Sequence, residues 1–353
     1  MRMEYAPYRL RFMNPAGTSR GVLNEKLTCF IRIFDEKNPE QFGIGEAAVF
    51  EGLSKEAGAG YEIKLLETVA NVALGRGTDL TDFPSIQCGL EQAILDFSNG
   101  CRGLYFPSKF TEGIETITIN GLVWMGRHDE MMTRLEEKIE QGFKCVKIKI
   151  GAIDFKDELD MLAAVRKRFS RSEIELRVDA NGAFNMENVF PALHALQQFD
   201  LHSIEQPIPA GNPEFMRMVC QVSPIPVALD EELIGVNRPE DKAKLLDAIM
   251  PAYIILKPSL CGGFSGASEW IQLANERNIG WWVTSALESN VGLSALSQWV
   301  GTLGVTMPQG LGTGQLFENN FTSPLRLEGE HLNFNPEGLP VDRKQFLALD
   351  WRG

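Results

Sequence analysis

The chain has 353 residues, 44% apolar and 23% charged, with 34 basic against 47 acidic side chains and a net charge of −13. That length carries one large core or a core with a smaller companion domain, and the acidic balance, without any basic cluster, excludes phosphate-backbone binding as the main task. No apolar run reaches the roughly 18–20 residues needed to span a bilayer, and the opening MRMEYAPYRLRF lacks the apolar stretch of a signal peptide.

Residues 1–115 open with three strand-like runs, MEYAPYRLRF, LTCFIRIFD and FGIGEAAVF, then two helical stretches at 61–74 and 84–100. Pro84 stands in the first turn of the second stretch and Gly100 at its end, where each is best tolerated. Strands followed by helices describe an α+β domain. From residue 116 the rhythm becomes strand, helix, strand, helix. In the stretch 129–141, Asp129 and Glu130 suit a helix start, Met132, Leu135 and Ile139 share a face, and Gly142 stops it. The strand KCVKIKI follows, and EIELRVD, LHSIEQ, IPVALD, AYIILK and WWVTSA recur downstream. Each is a short apolar run, as parallel strands buried on both faces require. Such a series predicts an α/β protein with a TIM-like barrel. The six cysteines (Cys29, Cys88, Cys101, Cys145, Cys220, Cys261) have no C-x-x-C spacing and read as reduced core residues of a cytoplasmic enzyme.

Charged groups interrupt these apolar strands at their C-terminal ends: Lys147 and Lys149, Asp179, Glu205, Asp230 and Lys257, the last five spaced by 25 to 30 residues. That spacing is one strand–helix unit per step. Residues two apart share a strand face, so Lys147 and Lys149 face inward while Val146, Ile148 and Ile150 face the helices. Arg177 and Asp179 have the same inward parity, and so does Asp230. The result is a ring at the barrel mouth, where such folds place their active sites. Three carboxylates without histidine or thiolate suit Mg²⁺ or Mn²⁺. Lysines beside a cation suit proton transfer next to a carboxylate whose developing charge the metal stabilises.

In order, Lys147-Ile148-Lys149, Asp179-Ala180-Asn181, Glu205-Gln206-Pro207, Asp230-Glu231-Glu232 and Lys257-Pro258 resemble the landmarks of the muconate-lactonizing branch of the enolase superfamily. The early Gly43-Ile44-Gly45-Glu46 resembles its capping domain. The resemblance implies a (β/α)7β barrel over about 116–315, capped by an α+β domain at 1–115 and a returning segment at 316–353. Within the branch, PAGTSRGVL from Pro15, INGLVWMG from Ile119, SALESNVGLS from Ser285 and GLGTGQLFENN from Gly310 are most similar to the o-succinylbenzoate synthase family. That likeness implies a small-molecule carboxylate substrate, 2-succinyl-6-hydroxy-2,4-cyclohexadiene-1-carboxylate, dehydrated in menaquinone biosynthesis. It makes Asp179, Glu205 and Asp230 the metal ligands, Lys149 the base, and Lys257 the cation that steadies the enolate. Lys147 and Arg177 would orient the base and the ring carboxylate, and Asn181 would organise the ligands from behind.

Other positions carry a weaker signal. Ser19 and Arg20 lie between two early strands, on a loop that in the family closes over substrate. Ser285 is given inward parity at the end of its strand and becomes a substrate contact. Glu288 and Ser289 follow it on a loop, where helix capping competes with a site role. Gly312, with Gly310 and Gly314, could offer backbone N–H groups to a carboxylate. His202 falls on the outward parity of its strand. Gly17-Thr18-Ser19-Arg20-Gly21 formally satisfies a serine-hydrolase motif, but a strand rather than a helix follows it. An N-acylamino acid racemase or dipeptide epimerase on the same scaffold is the alternative, since two opposed lysines serve it equally; homo-oligomerisation is left open.

Overall fold

The computed structural model describes residues 1–18 and 21–353. Strands β1 (Arg2–Thr18), β2 (Gly21–Asp35) and β3 (Asn38–Ala47) form an antiparallel sheet in that order. β1 and β2 are longer than their apolar runs, because a register shift between Arg11 and Ala16 lets pairing resume through polar sequence. Alternation decides what each face covers. Cys29, Ile31 and Ile33 pack against helices α1 (Ala59–Ala73) and α2 (Pro84–Ser98), while Phe30 and Phe34 pack with Phe321 and Phe346 on the other side.

β3 is an edge strand, and α2 takes up its backbone amides. Gln92 Oε1 accepts from Glu46 N at 3.0 Å and Asp96 Oδ2 from Ile44 N at 2.9 Å, the two side chains sharing a helix face four residues apart. Gly43 and Gly45 permit this approach. A Cβ there would stand 2.1 Å from the Ala93 carbonyl oxygen or 2.0 Å from that of Gly89. The end of the chain returns to the same sheet. Arg352 exchanges backbone hydrogen bonds with Tyr5 at 2.8 and 2.9 Å, and Arg343 Nη2 meets Asp96 Oδ2 at 2.6 Å.

Glu56 sits at the start of α2. Its Oε1 accepts from Ser85 N at 3.0 Å, while its buried Oε2 has no partner among the described residues. Burial pushes this carboxyl up from about 4.5 to about 8. The neutral form is therefore the stable one: its contribution is complete below the unfolded value and is lost as pH rises through about 8. Glu56→Gln is expected to flatten that slope and to gain on the order of 3 kcal/mol over the wild type near pH 9. Denaturant melts across pH read it, and parallel wild-type and variant profiles would contradict it.

The second half is a parallel sheet of seven strands: β5 (Gly121–Val123), β6 (Cys145–Lys149), β7 (Glu175–Asp179), β8 (Ser203–Glu205), β9 (Val227–Leu229), β10 (Tyr253–Leu256) and β11 (Gly280–Val283), adjacent in chain order. Helices α3 (His128–Glu140), α4 (Phe155–Arg168), α5 (Val189–Leu196), α6 (Pro213–Val222), α7 (Pro239–Ile249), α8 (Gly263–Glu276) and α9 (Asn290–Val300) follow them in turn. Before this sheet, β4 (Ile117–Thr118) joins β12 (Leu325–Glu328) and β13 (His331–Phe334) in a small sheet of its own. Helix-facing positions such as Val146, Ile148, Leu176, Val178, Ile204, Leu229, Ile254 and Val283 form the main core, while Ala228, Ile255 and Trp282 pack on the opposite face.

The two edges of the parallel sheet meet through one short segment. Gln309 accepts from Asn120 N and donates to the Thr118 carbonyl, both at 2.9 Å; Gly310 donates to the Val283 carbonyl at 2.8 Å and accepts from Ser285 N at 3.0 Å. Gly310 has no room for a side chain, since a Cβ would lie 2.2 Å from Thr284 Oγ1.

Candidate active site

Strand register assembles the site. Lys149 pairs with Asp179 and Asp179 with Glu205, so three strands set these side chains in one row at their C-terminal ends. Asp230 follows directly after β9, and Lys257 directly after β10. Lys147 Nζ donates to Asp179 Oδ2 at 3.0 Å and Glu205 Oε2 at 2.7 Å. Lys149 Nζ donates to Asp179 Oδ2 at 2.6 Å and Asn181 Oδ1 at 2.7 Å, and Lys257 Nζ donates to Asp230 Oδ2.

These contacts control the charges. Burial works against ionisation of Asp179, but Lys149 and Lys147 hold it well below the usual carboxylate range. Burial, then repulsion from Asp179, pushes Glu205 well above that range. Desolvation opposes the charge on Lys147, yet Glu205 and Asp179 raise its ammonium above the ordinary lysine value. Lys257 is raised against its own burial by Asp230 and Glu231.

A cavity of about 510 Å³ opens over this row. Lys147, Lys149, Asn181, Glu205, Glu231 and Lys257 line its floor, while Asp179 and Asp230 lie behind the lysines. The opposite wall includes Leu23, Phe50 and Leu53 from the N-terminal half, with Trp124, Leu287 and Leu316. A polar floor beneath an apolar lid fits a small ring bearing carboxylates.

Other predicted positions separate here. Gly312 lines the cavity, and the N–H groups of Gly312, Thr313 and Gly314 donate to no partner among the described residues. Asn181 accepts from Lys149 and donates through Nδ2 to Glu231 Oε1 at 3.1 Å, with its backbone at a positive φ of 45°. Ser285 lines the cavity for a reason other than parity: β11 ends at Val283, and inward-facing Trp282 would put Thr284, not Ser285, on the inner face. Arg177 does not reach the cavity. Paired with Lys147 one rung below the carboxylates, it bonds Glu175 Oε1 at 2.8 Å and the Pro308 carbonyl at 3.0 Å, its guanidinium 4.4 Å from the Trp282 ring. Its predicted contact with the substrate carboxylate is corrected to support beneath the floor. His202 likewise packs inward, on Tyr253 and Trp282, because it precedes β8 and escapes its alternation. Ser19 and Arg20 lie outside the described residues.

Two acids follow Asp230 in the sequence, and they part company in the fold. Glu231 lines the cavity, whereas Glu232 is turned away, accepting from Gln206 Nε2 at 3.2 Å and Gly211 N at 2.9 Å. Among the described residues no three carboxylate, imidazole or thiol groups are gathered as a ready metal cage; each of Asp179, Glu205 and Asp230 is engaged by a lysine. The donor set still fits a hard divalent cation. It is all oxygen, and Glu205 Oε1 is buried without a hydrogen-bond partner among the described residues, an orientation that an ion satisfies.

The chain as a whole is similar to known proteins. Residues 130–341 match the enolase C-terminal domain-like family. An o-succinylbenzoate synthase from Desulfotalea psychrophila is 44% identical over 93% of this chain and 98% of its own length. The chain belongs to the o-succinylbenzoate synthase family of the enolase superfamily. The crystal structure of MenC from the same organism superposes on this family member with a TM-score of 0.79 at 41% identity, covering 94% of this chain and all of that one. An L-Ala-D/L-Glu epimerase from Bacillus subtilis is more distant, 25% identical over 61% of this chain and 58% of its own length.

Proposed function

We propose that this enzyme is a lyase that removes water from 2-succinyl-6-hydroxy-2,4-cyclohexadiene-1-carboxylate to give o-succinylbenzoate, in menaquinone biosynthesis. The relative of that name, matching nearly end to end, carries the reading, and the lysines flanking a row of buried carboxylates supply its chemistry. We infer that the join through Gln309 and Gly310 completes a (β/α)7β barrel, with residues 1–115 and 316–353 as its cap. Apart from the unassigned Ser19 and Arg20, no described helix is long and apolar enough to cross a membrane, in keeping with a cytoplasmic place.

Asp179, Glu205 and Asp230 are the groups to hold Mg²⁺ or Mn²⁺, which supplies charge stabilisation for the ring carboxylate as its neighbouring carbon loses a proton. Lys149 does the proton work. As the free amine it takes the ring proton, and the C–H electron pair passes into the ring and its carboxylate. The Lys149 ammonium then returns that proton to the hydroxyl on the same face as its C–O bond breaks, so water leaves and the ring becomes aromatic. Asn181 and Asp179 aim the amine by holding its N–H groups. Lys257 keeps its proton and steadies the delocalised anion. Lys147, lodged between Asp179 and Glu205, spaces the carboxylates. The unbonded amides at Gly312–Gly314 offer a seat for a second carboxylate.

An epimerase would keep both lysines but also need an acid near the eighth-strand end for the substrate amine; Gly310–Leu316 contains none. The test is a comparison in D₂O of the cyclohexadiene carboxylate with N-succinyl amino acids. Dehydration is expected to be the faster reaction by far. Exclusive α-proton exchange on the amino acids, without dehydration, would overturn the assignment.

A further inference from the structure

A buried carboxylate outside the lysine row organises one wall of the cavity. Glu288 Oε2 accepts from Ser285 Oγ at 2.6 Å and Ala286 N at 2.8 Å, and Oε1 accepts from Ser259 Oγ at 2.8 Å. Glu288 is only 4% exposed. Lys26 of the N-terminal sheet is buried nearby, where burial works against its charge and Glu46 and Glu288 only partly offset that.

The donors and acceptors can be counted along this chain. Ser285 has one hydroxyl proton, and an ionised carboxylate only accepts, so that proton lies on the Glu288 side. Its lone pairs are taken by Leu287 N at 2.9 Å and Thr313 Oγ1 at 2.8 Å. Ser285 is therefore filled. Thr313 has spent its single proton on Ser285 and keeps only lone pairs for other partners. Thr313 lines the cavity, so this wall presents an acceptor.

Resting on the proposed dehydration, we propose that Thr313 accepts a hydrogen bond from the substrate hydroxyl, and that Glu288, acting through Ser285, is the positioning residue that holds Thr313 in this role. Substrate and product both carry two carboxylates and a ketone. The hydroxyl is the one hydrogen-bond donor that the substrate has at neutral pH and the aromatic product lacks. Thr313 thus favours substrate over product, which limits product inhibition.

The experiment measures KM and kcat for the cyclohexadiene carboxylate, and the inhibition constant of o-succinylbenzoate, in the wild type, Thr313→Val, Thr313→Ser, Glu288→Ala and Glu288→Gln. Thr313→Val and Glu288→Ala are each expected to raise KM about tenfold with the inhibition constant unchanged, the cost of one unmade hydrogen bond. Thr313→Ser keeps the acceptor and should keep the wild-type ratio. Glu288→Gln can still turn its carbonyl oxygen to Ser285 and Ala286, so it too should behave as wild type. If Thr313→Val does not fold, the Glu288 pair decides alone. KM and inhibition constant rising together, or neither moving, would overturn the proposal while dehydration stands. A wild type that does not dehydrate this substrate overturns the functional reading, and this proposal with it.

Discussion

Lys149→Ala is expected to lower kcat by about 10²–10⁴-fold, the range that a positioned acid–base group contributes. Its amine both takes and returns the proton, so no second residue covers its loss. The fold should survive: among the described residues Lys149 Nζ bonds only Asp179 and Asn181, and Lys149 ends β6 outside the hydrophobic core. Steady-state turnover with a thermal melt of the same sample checks both statements. A variant that keeps more than about a tenth of the wild-type kcat would show that another group carries the proton.

Glu205→Gln is expected to weaken Mg²⁺ binding at least about tenfold and to lower turnover with it, because the all-oxygen set loses a charge and gains an amide that presents donors. Glu205 is the sensitive choice because one of its oxygens is buried without a hydrogen-bond partner among the described residues. Lys147 loses the charge of one of its two carboxylate partners but keeps Asp179, so the variant should be less stable yet still fold, as a thermal melt of the same sample checks. Isothermal titration of Mg²⁺ into wild type and variant measures the effect. Equal affinities would remove Glu205 from the ligand set.

The row of lysines and carboxylates was legible from alternation within each strand, since one slip in parity would have buried the charges among the helices. Two limits of that argument are visible. Parity gives the face but not where a long side chain turns: Lys147, the register partner of Arg177, reaches the cavity, whereas the Arg177 guanidinium turns back to Glu175 and the Pro308 carbonyl. It also ends where the strand ends: Ser285 and His202 lie just beyond β11 and β8 and turn as their loops dictate. Glu231 opens a one-turn 3-10 helix, and Glu288 and Thr313 belong to loop and turn segments, where spacing says little. The competing capping reading holds for Ser289, whose Oγ accepts from Val291 N at 3.2 Å at the start of α9. It does not hold for Glu288, which takes the Ala286 amide and the Ser285 hydroxyl within the loop before α9. The Gly43–Gly45 run marked the N-terminal domain by resemblance; its physical reason, α2 lying on β3 backbone to backbone, needed the three-dimensional contact.

The most direct measurement follows the appearance of o-succinylbenzoate by its aromatic absorbance when the wild-type enzyme meets the cyclohexadiene carboxylate, with Mg²⁺ and again with excess EDTA. The account predicts rapid aromatisation with Mg²⁺, lost with EDTA and restored when Mg²⁺ is added back. No aromatic product with Mg²⁺ present, from folded protein that binds the ion, would contradict it.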